Sequence, residues 1–146
     1  MCWQWIFMCL MVLITGATAE ESSMTTSRND DMAIIKERML ASFMRAPDKD
    51  RVQDYRQTLQ PDGHWAEVNY EGTATTSWEP AQHLNRLIVL TQAWFSPESP
   101  LHHNAELEKQ INTALDYWLH KDPRRRWWWD AIGAPGMLSK IMLMRD

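Results

Sequence analysis

The sequence predicts an all-α fold, and three observations carry that reading. Apolar residues recur at helical spacing in segment after segment. The segments are separated by proline, glycine and Asx punctuation. No strand-length alternation of apolar and polar residues, and no internal repeat, interrupts the pattern.

Each element can be justified in turn. Met32, Ile35, Met39 and Phe43 fall on one helical face, with Asn29 or Asp30 available as cap and Pro47 as terminator. A more polar helix over Lys49 to Leu59 follows, broken by the turn signal Gln60-Pro61-Asp62-Gly63. The stretch from His64 to Trp78 has no helical period and is predicted to be an ordered loop. Glu79-Pro80 opens a third helix at a position proline tolerates, and Leu84, Leu87, Ile88, Trp94 and Phe95 mark its buried stripe. Ser96-Pro97 closes it. Asn104 caps the fourth helix, whose apolar face is Leu107, Ile111, Ala114, Leu115, Trp118 and Leu119. Asp122-Pro123 stops it. A fifth helix begins at Pro135, with Met137, Leu138, Ile141 and Met142 as its face.

The first nineteen residues belong to a different category. Trp5 to Ile14 form an unbroken apolar run, too short to span a bilayer, which needs roughly 20 residues. Ala17 and Ala19 then make an A-x-A cleavage site, and the chain turns polar at Glu20. This is the pattern of a signal peptide cleaved after Ala19, although its n-region lacks Lys and Arg. The mature chain is therefore expected to be extracellular or periplasmic, with no membrane association after cleavage. Residues 20–29 are Ser/Thr-rich and aperiodic, as in a flexible leader. Residues 30–146 form the folded domain.

Both cysteines, Cys2 and Cys9, fall in the signal segment, so the mature chain has neither disulfide nor thiolate chemistry. The signal segment is uncharged, and the mature chain keeps the net charge of −4, which argues against a nucleic-acid partner. His64, His83, His102, His103 and His120 make no pair at a zinc spacing, and no cofactor motif is present. Asp62, Glu67 and Asp116 have no acid/base partner at motif spacing.

Seven of the nine tryptophans follow the signal, a load that suits either an aromatic core or a sugar-stacking surface. Trp118 lies on a buried stripe and reads as core; Trp65, Trp78 and Trp94 read as packing anchors. Trp127, Trp128 and Trp129 are adjacent and cannot all face one way, so at least one is expected at the surface. The basic run Lys121, Arg124, Arg125 and Arg126 beside them suits a polyanion as well as plain solvent.

Three segments, in order, resemble one known family. Pro61-Asp62-Gly63-His64-Trp65-Ala66-Glu67-Val68-Asn69-Tyr70 is similar to a turn of the form D-G-x-W-x-D-I-x-Y, which leads to Trp78 and Pro80. His83-Leu84-Asn85-Arg86-Leu87 matches H-L-x-R-L. Ala114-Leu115-Asp116-Tyr117-Trp118 leads into Trp127-Trp128-Trp129-Asp130-Ala131-Ile132-Gly133-Ala134-Pro135, which resembles N-W-W-x-N-x-I-G-x-P. These are features of the N-terminal α-helical domain of polysaccharide lyase family 8, which contains hyaluronate, chondroitin and xanthan lyases.

The resemblance implies a partial (α/α) toroid of about five helices over residues 30–146, incomplete at its C-terminus. It also implies an acidic, glycosaminoglycan-like polysaccharide as partner, cleaved by β-elimination. The family's catalytic Asn, His, Tyr and Arg have no match here, so no catalytic residue is expected in this chain, and His83 is expected to be structural. The family's aromatic patch carries over onto Trp127 and Trp128 as substrate-binding residues, whereas Trp129 falls at a variable position. Arg126 replaces the motif's first Asn and offers a carboxylate or sulfate a stronger contact; Asp130 replaces the second.

Two other readings compete with a fragment of an exported lyase. One is a stand-alone, non-catalytic glycan-binding module; the other is a helical interaction protein whose tryptophan cluster meets a partner. The chain ends in its fifth helix with no cap, so one flank bearing Met137, Leu138, Ile141, Met142 and Leu143 is expected to be uncovered and to drive self-association.

Overall fold

The structure is a computed structural model that describes residues 30–72, 77–124 and 128–146. Residues 1–29, on which the signal-peptide and leader expectations fall, and Arg125, Arg126 and Trp127 lie outside the described residues. Among the described residues there are five α-helices: α1 (30–41), α2 (Lys49–Thr58), α3 (Ala81–Phe95), α4 (Ala105–Lys121) and α5 (Ala134–Leu143). A five-residue π-helical turn, Trp129–Gly133, leads into α5. Among the described residues the only β-type pairing is an isolated bridge between Leu59 and Trp65.

The chain divides into two units, Met1–Met39 and Leu40–Asp146. In the first, the described residues 30–39 are helical as the spacing predicts, and Met32, Ile35 and Met39 on its apolar face are all exposed. The helix also ends at residue 41, well before Pro47. Beyond its end the chain is tied to the C-terminal half of α3 through two carbonyls that a helix stopping before Pro47 leaves unsatisfied. Gln92 Nε2 donates to the Arg45 carbonyl at 2.9 Å, and Ser96 Oγ donates to that of Met44. Ser96 is fully buried, so its hydroxyl needs such a partner.

Within the second unit, α3 lies at the centre and packs against α2, α4 and α5. Its core face is wider than the stripe expected from sequence: His83, Leu84, Leu87, Leu90, Thr91 and Ala93 are buried, while Ile88, Trp94 and Phe95 are only half-buried. Opposite it, α4 contributes Leu107, Ile111, Ala114 and Trp118. Leu119, expected on the same face, points to solvent. The α4 caps follow local chemistry. The Asn104 side chain accepts from Leu107 N–H at 2.9 Å. Asp122 ends the helix in the left-handed region, at φ 44°.

The α2 start is capped by Asp48, which accepts from Arg51 N–H at 2.9 Å. Its end runs into a tight loop in which Gly63 N–H donates to the Gln60 carbonyl and Gln60 N–H to that of His64, both at 2.9 Å. Gly63 sits at φ +93°, and a Cβ there would lie 2.3 Å from the Thr113 carbonyl oxygen of α4. Only glycine satisfies both the dihedral and the approach.

The fifth helix starts one residue earlier than Pro135 and is preceded by the π turn, which the sequence periodicity does not reveal. The physical cause is the proline. Pro135 has no N–H for the carbonyl of Ala131, and its ring crowds that carbonyl in a regular helix. The chain widens instead, and Ala134 N–H donates back to the Trp129 carbonyl. The expected apolar face of α5 is more covered than its sequence suggests: Ile141 is buried and Met137, Leu138 and Leu143 are half-buried, leaving Met142 exposed.

Candidate functional site

The three motif segments meet around one buried imidazole. Trp65 N–H donates to the Tyr70 hydroxyl at 3.1 Å, and that hydroxyl lies 2.8 Å from His83 Nδ1. On the ring's other side, Nε2 is 2.9 Å from the Ala114 carbonyl oxygen. A carbonyl only accepts, so Nε2 carries the proton and Nδ1 accepts from Tyr70. Burial lowers the His83 pKa to about 4, overcoming the opposing pull of the Ala114 carbonyl, and the ring is neutral at physiological pH. Tyr70, also desolvated, is pushed up to about 12. A buried, neutral histidine with both nitrogens engaged is a strut between α3, α4 and the loop before them.

The aromatic environment of this strut is continuous. His83 meets Trp65 edge-on at 4.8 Å and lies tilted against Trp118 at 5.4 Å. Trp65 is fully buried and donates its indole N–H to the Tyr55 carbonyl at 2.9 Å. Arg86 lies over the rings of Tyr55 and Trp65 and donates to Glu67 at 2.5 Å, which holds that carboxyl below its usual range. Asp62 also has a partner that motif spacing did not suggest: His64, two residues on, at 2.5 Å. The His64 ring stacks on Tyr117 at 5.5 Å, so this exposed pair closes the turn against α4.

From Trp118 the stack runs outward. Trp118 meets Trp78 edge-on at 5.9 Å; Trp78 meets Trp129 at 5.3 Å; Trp129 meets Trp128 edge-on at 4.8 Å. Trp118 and Trp78 are buried, as expected of core and anchor, and Trp129 is half-buried. Trp128 ends the series with 42% of its surface exposed. Of the three residues expected to bind substrate, Trp128 is therefore at the surface, while Trp127 and Arg126 lie outside the described residues.

Two shallow grooves flank this end of α4. One, of about 200 Å³, is lined by Trp118, Leu119, Asp130, Pro135 and Leu138. The other, of about 340 Å³, is lined by Tyr70, Glu71, Gly72, Lys121 and Arg124. Its cations are paired, Lys121 with Glu71 at 2.6 Å and Arg124 with Asp122 at 2.8 Å, which raises both their pKa values. Among the described residues no cluster of three or more His, Cys, Asp or Glu could hold a metal ion. Nor is any helix among them long and apolar enough to cross a membrane.

Sequence reasoning left Tyr70, Tyr117 and Gly133 without roles. All three stand inside the motifs quoted above, and that position was the available signal. The indole stack and the buried imidazole together define a helical domain whose core is built from the three motif segments. The family model for polysaccharide lyase family 8, N-terminal α-helical domain, matches residues 22–146, and the chain belongs to that family. It is 36% identical over 88 residues to chondroitinase-AC of Pedobacter heparinus, an alignment covering 60% of this chain and 13% of that protein. A solved structure of chondroitinase AC lyase, from work on enzyme–oligosaccharide complexes, matches with a TM-score of 0.70 and 31% identity. That match covers 75% of this chain and 17% of the other. The fold is accordingly a partial (α/α) toroid, and the chain spans a small part of its relatives' length.

Proposed function

We propose that this chain supplies the aromatic part of the substrate cleft in an exported polysaccharide lyase that degrades acidic polysaccharide of the hyaluronan or chondroitin type. The observation that carries the reading is the exposed indole of Trp128, set against the half-buried Trp129 with the buried Trp78 behind it. Indole faces pack on sugar C–H faces; Trp127 and Arg126 adjoin Trp128 in the sequence, and Arg126 is the group proposed to meet a carboxylate or sulfate. Family membership supports the substrate class.

In β-elimination a uronate carboxylate is neutralised, its C5 proton is removed, and the leaving 4-oxygen is protonated. His83 does not fit the base, because both its nitrogens are committed inside the core. The reading therefore gives this chain binding and leaves the proton transfers to other parts of the lyase. Export rests on the first nineteen residues as a signal peptide cleaved after Ala19; N-terminal sequencing of secreted protein tests it.

Calorimetric titration of the chain with chondroitin sulfate at two salt concentrations tests the binding role. Salt-sensitive binding is expected, lost in Trp128→Ala, with no ultraviolet absorbance from an unsaturated uronate product. Binding indifferent to Trp128→Ala defeats the platform; sustained product formation defeats the division of labour. The second reading, a stand-alone glycan-binding module, draws support from the buried core that joins α2 to α5 within Leu40–Asp146. Monomeric, cooperative unfolding of the chain would favour it.

A further inference from the structure

The sugar-platform reading names Trp128 but leaves open what holds its ring. We infer that Gly133 and Trp129, backed by Trp78, are positioning residues that fix the exposed face of Trp128 for a sugar ring; the inference rests on that reading.

Gly133 has an ordinary helical backbone, with φ −63°, so conformational freedom does not explain a glycine there. Close approach does. A Cβ on Gly133 would lie 2.5 Å from Cε3 of Trp129 and 2.7 Å from Cζ3 of Trp128. Both rings therefore rest on the bare backbone of the π turn. That turn exists because Pro135 follows, and it shifts Trp128 and Trp129 relative to the regular register of α5.

The four indoles differ in freedom. Trp78 and Trp118 are buried and meet edge-on, so neither yields without opening the core. Trp129 is wedged between Trp78 at 5.3 Å and Trp128 at 4.8 Å. Trp128 is the most exposed of the four, whereas Trp129 is half-buried and held on both sides. Any intrusion at Gly133 is therefore relieved by swinging Trp128 away from its seat, and any shrinkage at Trp129 removes the edge-on support. Holding the ring before the sugar arrives lowers the ordering cost of binding.

The test uses the full chain with a chondroitin sulfate hexasaccharide, read by titration and by exciton-coupled circular dichroism of the neighbouring indoles. Trp128→Ala defines the couplet and the affinity that this ring supplies, a loss of about tenfold or more for one stacking contact. Gly133→Ala is expected to abolish the same couplet and to lose about fivefold or more in affinity, with helix content unchanged. Trp129→Leu should behave likewise, and Trp129→Phe should restore binding to within about twofold, since an aromatic edge is regained. If Trp129→Leu does not fold, Gly133→Ala decides alone. A Gly133→Ala chain that keeps the couplet overturns the inference whatever happens to binding. Loss of the couplet with affinity intact overturns it too, provided Trp128→Ala still weakens binding. If Trp128→Ala binds as the wild type does, the platform itself fails, and this inference fails with it.

Discussion

His83 Nε2 lies 2.9 Å from the carbonyl oxygen of Ala114, thirty-one residues further along the chain, and the imidazole between them is fully buried. The contact joins the start of α3 to the middle of α4, and Tyr70 occupies the ring's other nitrogen. The neutral ring satisfies both neighbours with one proton. A second proton would reverse the Tyr70 bond, with Nδ1 donating, and place a charge in the core, near the Arg86 cation, which already disfavours it.

Stability should therefore fall with acid. His83 titrates at about 4 in the folded chain against 6.5 for the ordinary group, so the unfolded chain binds more protons between those values. The contribution is fully present above about pH 6.5 and is lost as pH falls toward 4, on the order of 3 kcal/mol in all. Urea unfolding at pH 7 and pH 4.5 measures it. His83→Gln should flatten this acid slope, whereas an unchanged slope would remove His83 as its source.

Tyr70→Phe removes only a hydroxyl, yet that hydroxyl serves both Trp65 N–H and His83 Nδ1. The variant should lose about 1–3 kcal/mol, because buried polar groups are left unpaired. Chemical denaturation checks the magnitude. A neutral effect would mean that water replaces the hydroxyl without penalty.

Gly63→Ala forces a Cβ into a left-handed position and against the α4 backbone at Thr113. Backbone cannot swing aside as a side chain can, so a loss of more than about 1 kcal/mol is expected. Thermal melting of Gly63→Ala beside Gly72→Ala separates the cases. At Gly72 the nearest atom is the Glu79 carboxylate, a movable group, and the cost should be smaller.

The tryptophans should divide by depth. Trp118→Ala empties a buried site and should cost about 3–5 kcal/mol of stability. Trp128→Ala should leave the fold intact and remove about 1–3 kcal/mol of glycan binding, borrowing the range for base–aromatic stacking. Equal destabilisation by both would make Trp128 a core residue and end the platform reading.

Self-association, where it occurs, should run through Leu119, Trp128, Ile132 and Met142, the large apolar side chains left at the surface of α4, the π turn and α5. Sedimentation should show mass rising with concentration, and Leu119→Lys with Met142→Lys should lower it. Insensitivity to both changes would assign the association elsewhere.

What the residues determine locally is clear from particular cases. Asn104, Asp48 and Asp122 mark their helix ends because a side chain or a left-handed turn acts within a few residues. The buried stripe of α4 was legible as far as Trp118 because spacing alone sets a helical face. The polysaccharide-lyase motifs were legible as strings, but not the reason for them. His83 becomes a strut only when Tyr70 and Ala114, distant in sequence, converge on its two nitrogens. The segment after α1 is held by Gln92 and Ser96, distant in sequence, which donate to the Arg45 and Met44 carbonyls. The glycine of the third motif likewise has no local signature. Its φ is that of any helical residue, and the need for it arises only where two indole rings come to rest on its α-carbon. Local hydrogen bonding and periodicity act over a turn or two and can be read along the chain; excluded volume and the satisfaction of buried polar groups act across the core, and they appear only when the helices have met.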